Sequence, residues 1–263
     1  MSQKQQEYLR KRKRQKIQVN IWRVLLLSLF IFLWEFCARR GVIDPFIFSS
    51  PGRIATCFLS MTADGTLFHH IWVTLSETFL SFFLVLVLGI ALAVILWWNQ
   101  QISQVLEPYL VALNSLPKTA LAPVFIVWLG NNMKTIIVAA VSMAVFSTTI
   151  TLYHAFQEMD PEKIKMLRTL GGSKRDILTK RILPGNIPTL ISVMKVDIGL
   201  TLVGVIIGEF LAARAGLGYL ITYGSQVFKL DLVLMPIVIL CLISTALYLL
   251  ISLLEKICQR HFQ

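Results

Sequence analysis

Acidic residues are scarce in this chain of 263 residues: Asp and Glu number 14 against 25 Lys and Arg. Cysteine is scarcer still, at four. Cys37, Cys241 and Cys258 lie in or beside apolar runs, and Cys57 stands alone between two of them. No pair has metal-ligand spacing, which excludes a disulfide framework and a zinc site. His69 and His70 read as an interfacial pair, with a metal role as the alternative. Catalytic motifs are missing as well. There is no G-x-x-x-x-G-K-[ST] phosphate loop, no G-x-G-x-x-G, no H-E-x-x-H and no G-x-S-x-G. The chain is therefore not expected to be an enzyme, no catalytic or metal-binding residue is assigned, and no cofactor is implied. Any work it does must draw on another subunit or on an ion gradient. No cleavable leader is expected, because the basic start runs into a full-length apolar segment without a small-residue cleavage site.

What the chain has in abundance is apolar length. Hydrophobic residues make up 56% and charged residues 15%, with a mean hydropathy of +0.71, above the range of soluble domains. A membrane span needs roughly 20 mostly apolar residues. The windows are Ile21–Ala38, Leu67–Trp98, Thr119–Met133, Thr135–His154, Ile187–Phe210 and Leu232–Ile257. Leu67–Trp98 is long enough to tilt or to begin as an interfacial helix. Thr119–Met133 is short, and Val105–Leu116 before it reads as a partly inserted helix that breaks at Pro117 and Pro123. The predicted fold class is all-α: a polytopic membrane protein of about six transmembrane helices, with five or seven as alternatives. Trp22, Trp34, Trp72, Trp97 and Trp98 read as an interfacial belt. Gly89, Gly199, Gly204 and Gly208 suit close helix approach.

Basic residues orient the chain. With six spans, 17 of them fall on one side, in Met1–Arg23, in Asp160–Pro188 and in the C-terminal tail; Arg39, Arg40, Arg53, Lys134, Arg214 and Lys229 fall on the other. The richer side is expected to be cytoplasmic, with both termini inside. This rule accounts for the net charge of +11, so no nucleic-acid partner is inferred. The expected organisation is a basic cytoplasmic tail (1–20), a first span with its extracytoplasmic loop (21–66), a main transmembrane domain (67–257) that includes a loop at 158–186, and a short cytoplasmic tail (258–263). Membrane lipids are implied partners, the first basic tract being a topology signal or an anionic-lipid anchor.

The charged island DPEKIKMLRTLGGSKRDILTKRILPGNIP, Asp160 to Pro188, stands out between apolar segments. Asp160 and Pro161 read as the N-cap and first residue of a helix, and Gly171-Gly172 as its stop. Ser173 starts a second helix, with Asp176 as capping-box partner. Ile164, Leu167 and Leu170 recur at helical spacing, leaving one apolar stripe and one basic face. A short capped helix held in water between spans suits contact with a partner. A plain solvated loop is the alternative.

These residues resemble a known pattern. The cytoplasmic loop of bacterial ABC-importer permeases carries E-A-A, three residues, Gly, nine residues, then I-x-L-P. Gly171 takes the glycine place, Gly172–Lys180 supply the nine, and Arg181-Ile182-Leu183-Pro184 follow. Lys165-Met166-Leu167 stands where the family has E-A-A, and Arg181 replaces its isoleucine. Further segments agree in order: FSSP at Phe48–Pro51, HIWVTLS at His70–Ser76, LAPVFIVWLG at Leu121–Gly130, and GEF at Gly208–Phe210 leading to AGLGYL at Ala215–Leu220. The chain is identified as a member of the nitrate/sulfonate/taurine-type ABC-importer permeases.

That resemblance implies an ABC type I importer permease fold with a cytoplasmic coupling helix, in a bacterial inner membrane. Its partners would be a second copy of the chain, two ATPase subunits and an extracytoplasmic solute-binding protein. Pro161, Ile164, Leu167, Arg168, Thr169, Leu170, Gly171 and Pro184 would carry the ATPase coupling, with the apolar stripe docking into an ATPase cleft. Gly171 would be required for its φ or for a close contact, and alternating access would follow from rocking of the spans. Among charges inside spans, Glu77, Lys195 and Asp197 are candidates for the translocation path. Lys195 and Asp197 point to different helix faces, and for Asp197 a helix-packing hydrogen bond is the equal alternative. Glu209, near an outer span end, reads as an interfacial or interhelical pairing residue rather than a solute contact. The solute is left open among sulfonates, taurine, nitrate and pyrimidine or vitamin precursors. An ion-gradient-driven transporter or channel is the rival function, and a membrane-embedded enzyme the third.

Overall fold

The computed structural model describes residues 3–262, with side-chain environments continuous from residue 17 to residue 257. The basic side chains of the first segment up to Lys11, together with Lys13, Lys16, Cys258 and Arg260, lie outside the described side chains. The helices in chain order are α1 (Gln3–Arg39), α2 (Pro45–Phe48), α3 (Pro51–Ala63), α4 (Thr66–Trp98), α5 (Gln100–Ser115), α6 (Lys118–Leu129) and α7 (Met133–Gln157). They continue with α8 (Pro161–Thr169), α9 (Lys174–Ile177), a π-helical turn (Leu178–Ile182), α10 (Leu183–Gly185), α11 (Ile187–Ala212), α12 (Leu217–Gln226) and α13 (Leu230–Phe262). The described residues hold no strand, so the all-α expectation stands. The segment expected as a basic tail is, from Gln3 onward, one helix with the first span.

Among the described residues, five helices are long and apolar enough to cross a membrane, and the pair α5–α6, bent by 96°, makes a sixth if it is one broken span. The 33 residues of α4 give a rod of about 50 Å, well beyond the roughly 30 Å hydrocarbon core. The break expected at Pro117 is the bend. None occurs at Pro123, which lies inside α6. That is a correction: the short helix runs on through its proline and forgoes one backbone bond to the Thr119 carbonyl.

The centre is α7, packed against both α4 and α11, which also touch each other. Small residues permit the approach. A Cβ at Gly204 would lie 2.6 Å from the Ala140 Cα, and one at Gly89 2.6 Å from the Thr148 Cγ2. Gly208 meets Ile136 in the same way, whereas Gly199 has open space beside it and needs another explanation. Association in lipid rests on such packing, because the surrounding tails are as apolar as the helix faces.

Two layers of core follow. Toward one end Ala93, Leu96, Leu152, Tyr153, Phe156, Ile177, Ile182 and Val193 cluster; toward the other, Leu67, Leu202, Leu217, Leu220, Met235 and Ile239. The FSSP segment ties the outer helices together. The Ser50 side chain caps α3 at the Arg53 amide, while the Ser49 hydroxyl and the Arg53 guanidinium both donate to Asp231 at the start of α13. Helix α1 meets the remainder through α2 and α3, and the Glu35 carboxylate accepts from the Gly52 amide at 2.9 Å.

Candidate functional site

The island folds as its caps demand. The Asp160 carboxylate accepts from the Glu162 amide at 3.0 Å, with Pro161 as the first helical residue. That amide, then Lys163, holds the Asp160 carboxyl below the usual range. At the other end the Gly172 amide donates to the Leu167 carbonyl and the Gly171 amide to the Arg168 carbonyl, the paired bonds of a Schellman stop. Gly171 has φ of 81° and nothing within 4 Å of a would-be Cβ, so its requirement is conformational rather than steric. Gly172 supplies the steric one: a Cβ there would lie 2.7 Å from the Leu167 carbonyl oxygen. Ser173 and Asp176 then close a capping box on α9. Lys180 pairs with Asp176 at 2.7 Å and, with Ser173, holds the Asp176 carboxyl well below the carboxylate range.

The stripe is shared between two surfaces, which corrects the expectation that all of it is free to dock. Ile164 and Leu167 pack against the core cluster that joins Leu96 and Phe156 to Ile177 and Ile182, so they hold α8 to the rest of the chain. Leu170 is 72% exposed and Met166 63% exposed. Pro161, Arg168 and Thr169 are also exposed, and Pro184 is half-buried in α10 behind the π turn. A second fastener comes from Lys174, whose ammonium donates to the Trp98 carbonyl at the end of α4 and lies over the rings of Trp97 and Trp98. The island is thus capped at its ends, held to that core cluster by one face of α8 and open on the other.

The GEF…AGLGYL segments build a corner at the opposite end. Glu209 is 1% exposed. Its carboxylate accepts from the Thr74 hydroxyl at 2.7 Å and from the Gly218 amide at 2.5 Å. The Leu217 amide donates to the Thr74 hydroxyl oxygen at 2.8 Å, and the Gly216 amide to Nδ1 of His70 at 3.0 Å. Helix α12 begins here, so its free N-terminal amides are satisfied by side chains of α4 and α11. Gly216, at φ of 117°, and Gly218 are glycines because a Cβ at either would run into Glu209. Of the two roles the sequence left open for Glu209, interfacial or interhelical, these bonds match the interhelical one. His70 stacks on Tyr219 with centroids 6.1 Å apart, and the described residues hold no metal-like cluster.

The three candidate path residues are dispersed. Asp197, 2% exposed, accepts from the Thr148 hydroxyl at 2.8 Å across α7 and α11. Lys195, two positions away, turns to Glu255 on α13 and lies 6.0 Å from the Tyr248 ring. They occupy different faces, and Asp197 makes the packing bond its alternative reading required. Glu77 is buried on α4, with its side chain against Glu209.

A family model described as the binding-protein-dependent transport system inner membrane component matches residues 85–260. The chain belongs to this family. It is a permease subunit of an ABC importer, with several spans in the membrane, and such subunits leave ATP hydrolysis to a separate ATPase. Membership removes the ion-gradient and membrane-enzyme alternatives. The chain is similar to the formylaminopyrimidine transport permease protein ThiX of Halalkalibacterium halodurans, at 28% identity over 89% of this chain and 92% of that one. It is also similar to the putative aliphatic sulfonates transport permease protein SsuC of Bacillus subtilis, at 24% identity over 89% and 84%. In fold it matches a chain of the MetNI methionine ABC transporter in an inward-facing conformation, with TM-score 0.66 and 20% identity over 73% of this chain and 96% of that one.

Several residues of the permease escaped sequence reading. Thr74 gave no signal, because one hydroxyl on a long apolar helix has no local partner pattern, and His70, read as half of an interfacial pair, gave no hint of its bond to the Gly216 amide. Lys118, at the elbow of α5 and α6, donates to the Asn114 side chain at 3.0 Å and the Met143 carbonyl at 3.3 Å. Its place beside a helix-breaking proline was the available clue. The π turn at Leu178–Ile182 had none.

Proposed function

We propose that the permease couples ATP hydrolysis to import through α8, working as two copies of itself above two ATPase subunits, with both termini and the island in the cytoplasm. The observation that carries this reading is α8 itself: a helix capped at both ends, pinned by Ile164 and Leu167, with Met166 and Leu170 left exposed. A capped element held to the core cluster shared by the spans transmits a push to them instead of absorbing it, and its open apolar residues suit a groove in a partner. Arg168, Thr169 and Gly171 shape that contact, while Pro184 sets the turn back into α11.

The solute would be small and delivered by an extracytoplasmic binding protein, of the sulfonate, taurine or nitrate kind or an aminopyrimidine. The names of ThiX and SsuC support that range, since they differ in cargo at similar likeness to this chain. The test is co-purification of the permease with its ATPase from membranes. Gly171→Arg, or deletion of Pro161–Leu170, is expected to abolish association while the chain still inserts. Normal co-purification of both variants would refute the coupling assignment.

A further inference from the structure

Two lysines lie well within the spans, and the structure treats them differently. Lys195 on α11 turns to a carboxylate, Glu255 of α13. Lys118 is half-buried at the elbow where α5 and α6 bend by 96°. No carboxylate among the described residues pairs with it. Its ammonium donates to the Asn114 side chain and to the Met143 carbonyl, and its third N–H has no acceptor among the described residues. Met143 fixes the depth. It lies ten residues beyond the start of α7 at Met133, about 15 Å along that helix and near the middle of a hydrocarbon core about 30 Å thick. Ser115 and Thr119, on either side of the elbow, are exposed.

Bracing the elbow does not account for a charge at this place. A neutral amide could make both bonds without the cost of taking an ammonium out of water. Lys118 is also the first residue of α6, where the helix dipole is positive and disfavours a cation. A charge without a counter-ion at mid-membrane is tolerated against a water-filled cavity, not against acyl chains. We propose that Lys118 faces the translocation path and presents its ammonium to an anionic oxygen of the passing solute, with Ser115 and Thr119 beside it. An ammonium offers only donors, so an oxyanion meets both the charge and the open N–H, whereas a cation is repelled. The inference rests on the permease reading and adds to it the sign of charge that the path favours.

The test uses the full chain with its ATPase in membrane vesicles, with Cys37, Cys57, Cys241 and Cys258 replaced by alanine and Thr119→Cys introduced. The new thiol is treated with sulfonatoethyl or trimethylammonioethyl methanethiosulfonate, two probes of opposite charge, without nucleotide and with ATP and vanadate. It is expected to react, whereas Phe30→Cys, 63% exposed on the apolar α1, should react with neither. The ratio of sulfonate to ammonium rates, normalised to a free thiol in solution, should fall about tenfold in Lys118→Gln and persist in Lys118→Arg. An inert thiol at position 119 in both states, a ratio that ignores Lys118→Gln, an equal loss in Lys118→Arg, or equal reaction at Phe30→Cys overturns the proposal. Co-purification with the ATPase reads the assembly of each variant separately, so either result can fail alone.

Discussion

At Gly216 two demands coincide, a positive φ and a space already filled by the Glu209 carboxyl. Gly65 isolates the first demand, having φ of 72° and nothing within 4 Å. Gly65→Ala should therefore cost only the left-handed strain, about 1–2 kcal/mol. Gly216→Ala adds overlap with a buried carboxyl and is expected to cost about 3 kcal/mol or more. Thermal unfolding in detergent compares them, and equal losses would disprove the crowding at the corner. Asp176 makes a different prediction. Lys180 and Ser173 hold its folded-state carboxyl well below the ordinary value. A depressed carboxyl contributes stability that is present above the unfolded value of about 4 and is lost as pH falls below it toward the folded one. Amide exchange of α9, corrected for intrinsic rate, should accelerate in that acid window for wild type, with no such acceleration in Asp176→Asn. Asp160 shifts in the same direction, for its own cap.

At the scale of the element, the island was largely legible. Asp160, Pro161, Gly171, Gly172, Ser173 and Asp176 sit where local rules put caps, and the structure forms each of those bonds. Caps involve residues within a few positions of one another, so sequence alone can specify them. The direction of the apolar stripe was not legible. Helical spacing says that Ile164, Leu167 and Leu170 share a face, but only the packing of α8 against the core cluster decides which of them that packing consumes. The two sets are expected to separate in experiment. Ile164→Ala and Leu167→Ala should lower the thermal midpoint, whereas Met166→Ala and Leu170→Ala should stay within about 0.5 kcal/mol of wild type yet weaken ATPase association. Loss of association from the first pair without destabilisation would reverse the assignment of faces.

At the scale of the whole molecule, orientation is the claim that can be tested most simply. Lys165→Cys in the island should react with an impermeant maleimide only in inside-out vesicles, and Asp64→Cys between α3 and α4 only from outside in intact cells. The reverse pattern would remove the island from the cytoplasm and its coupling role with it. The all-helical class and the five long apolar spans were determined by the sequence itself, because a bilayer admits only segments of sufficient apolar length whose backbone bonds are satisfied internally. The same holds for the capped island, whose bonds are local. The outer corner was decided only by tertiary structure. Thr74, His70 and Glu77 meet Glu209 and Gly216–Gly218 across more than 130 positions of chain, and no periodicity in α4 announces a partner that distant. Bonds that reach across the bundle depend on how α4, α7 and α11 pack, and that packing is a property of the assembled helices rather than of any one of them.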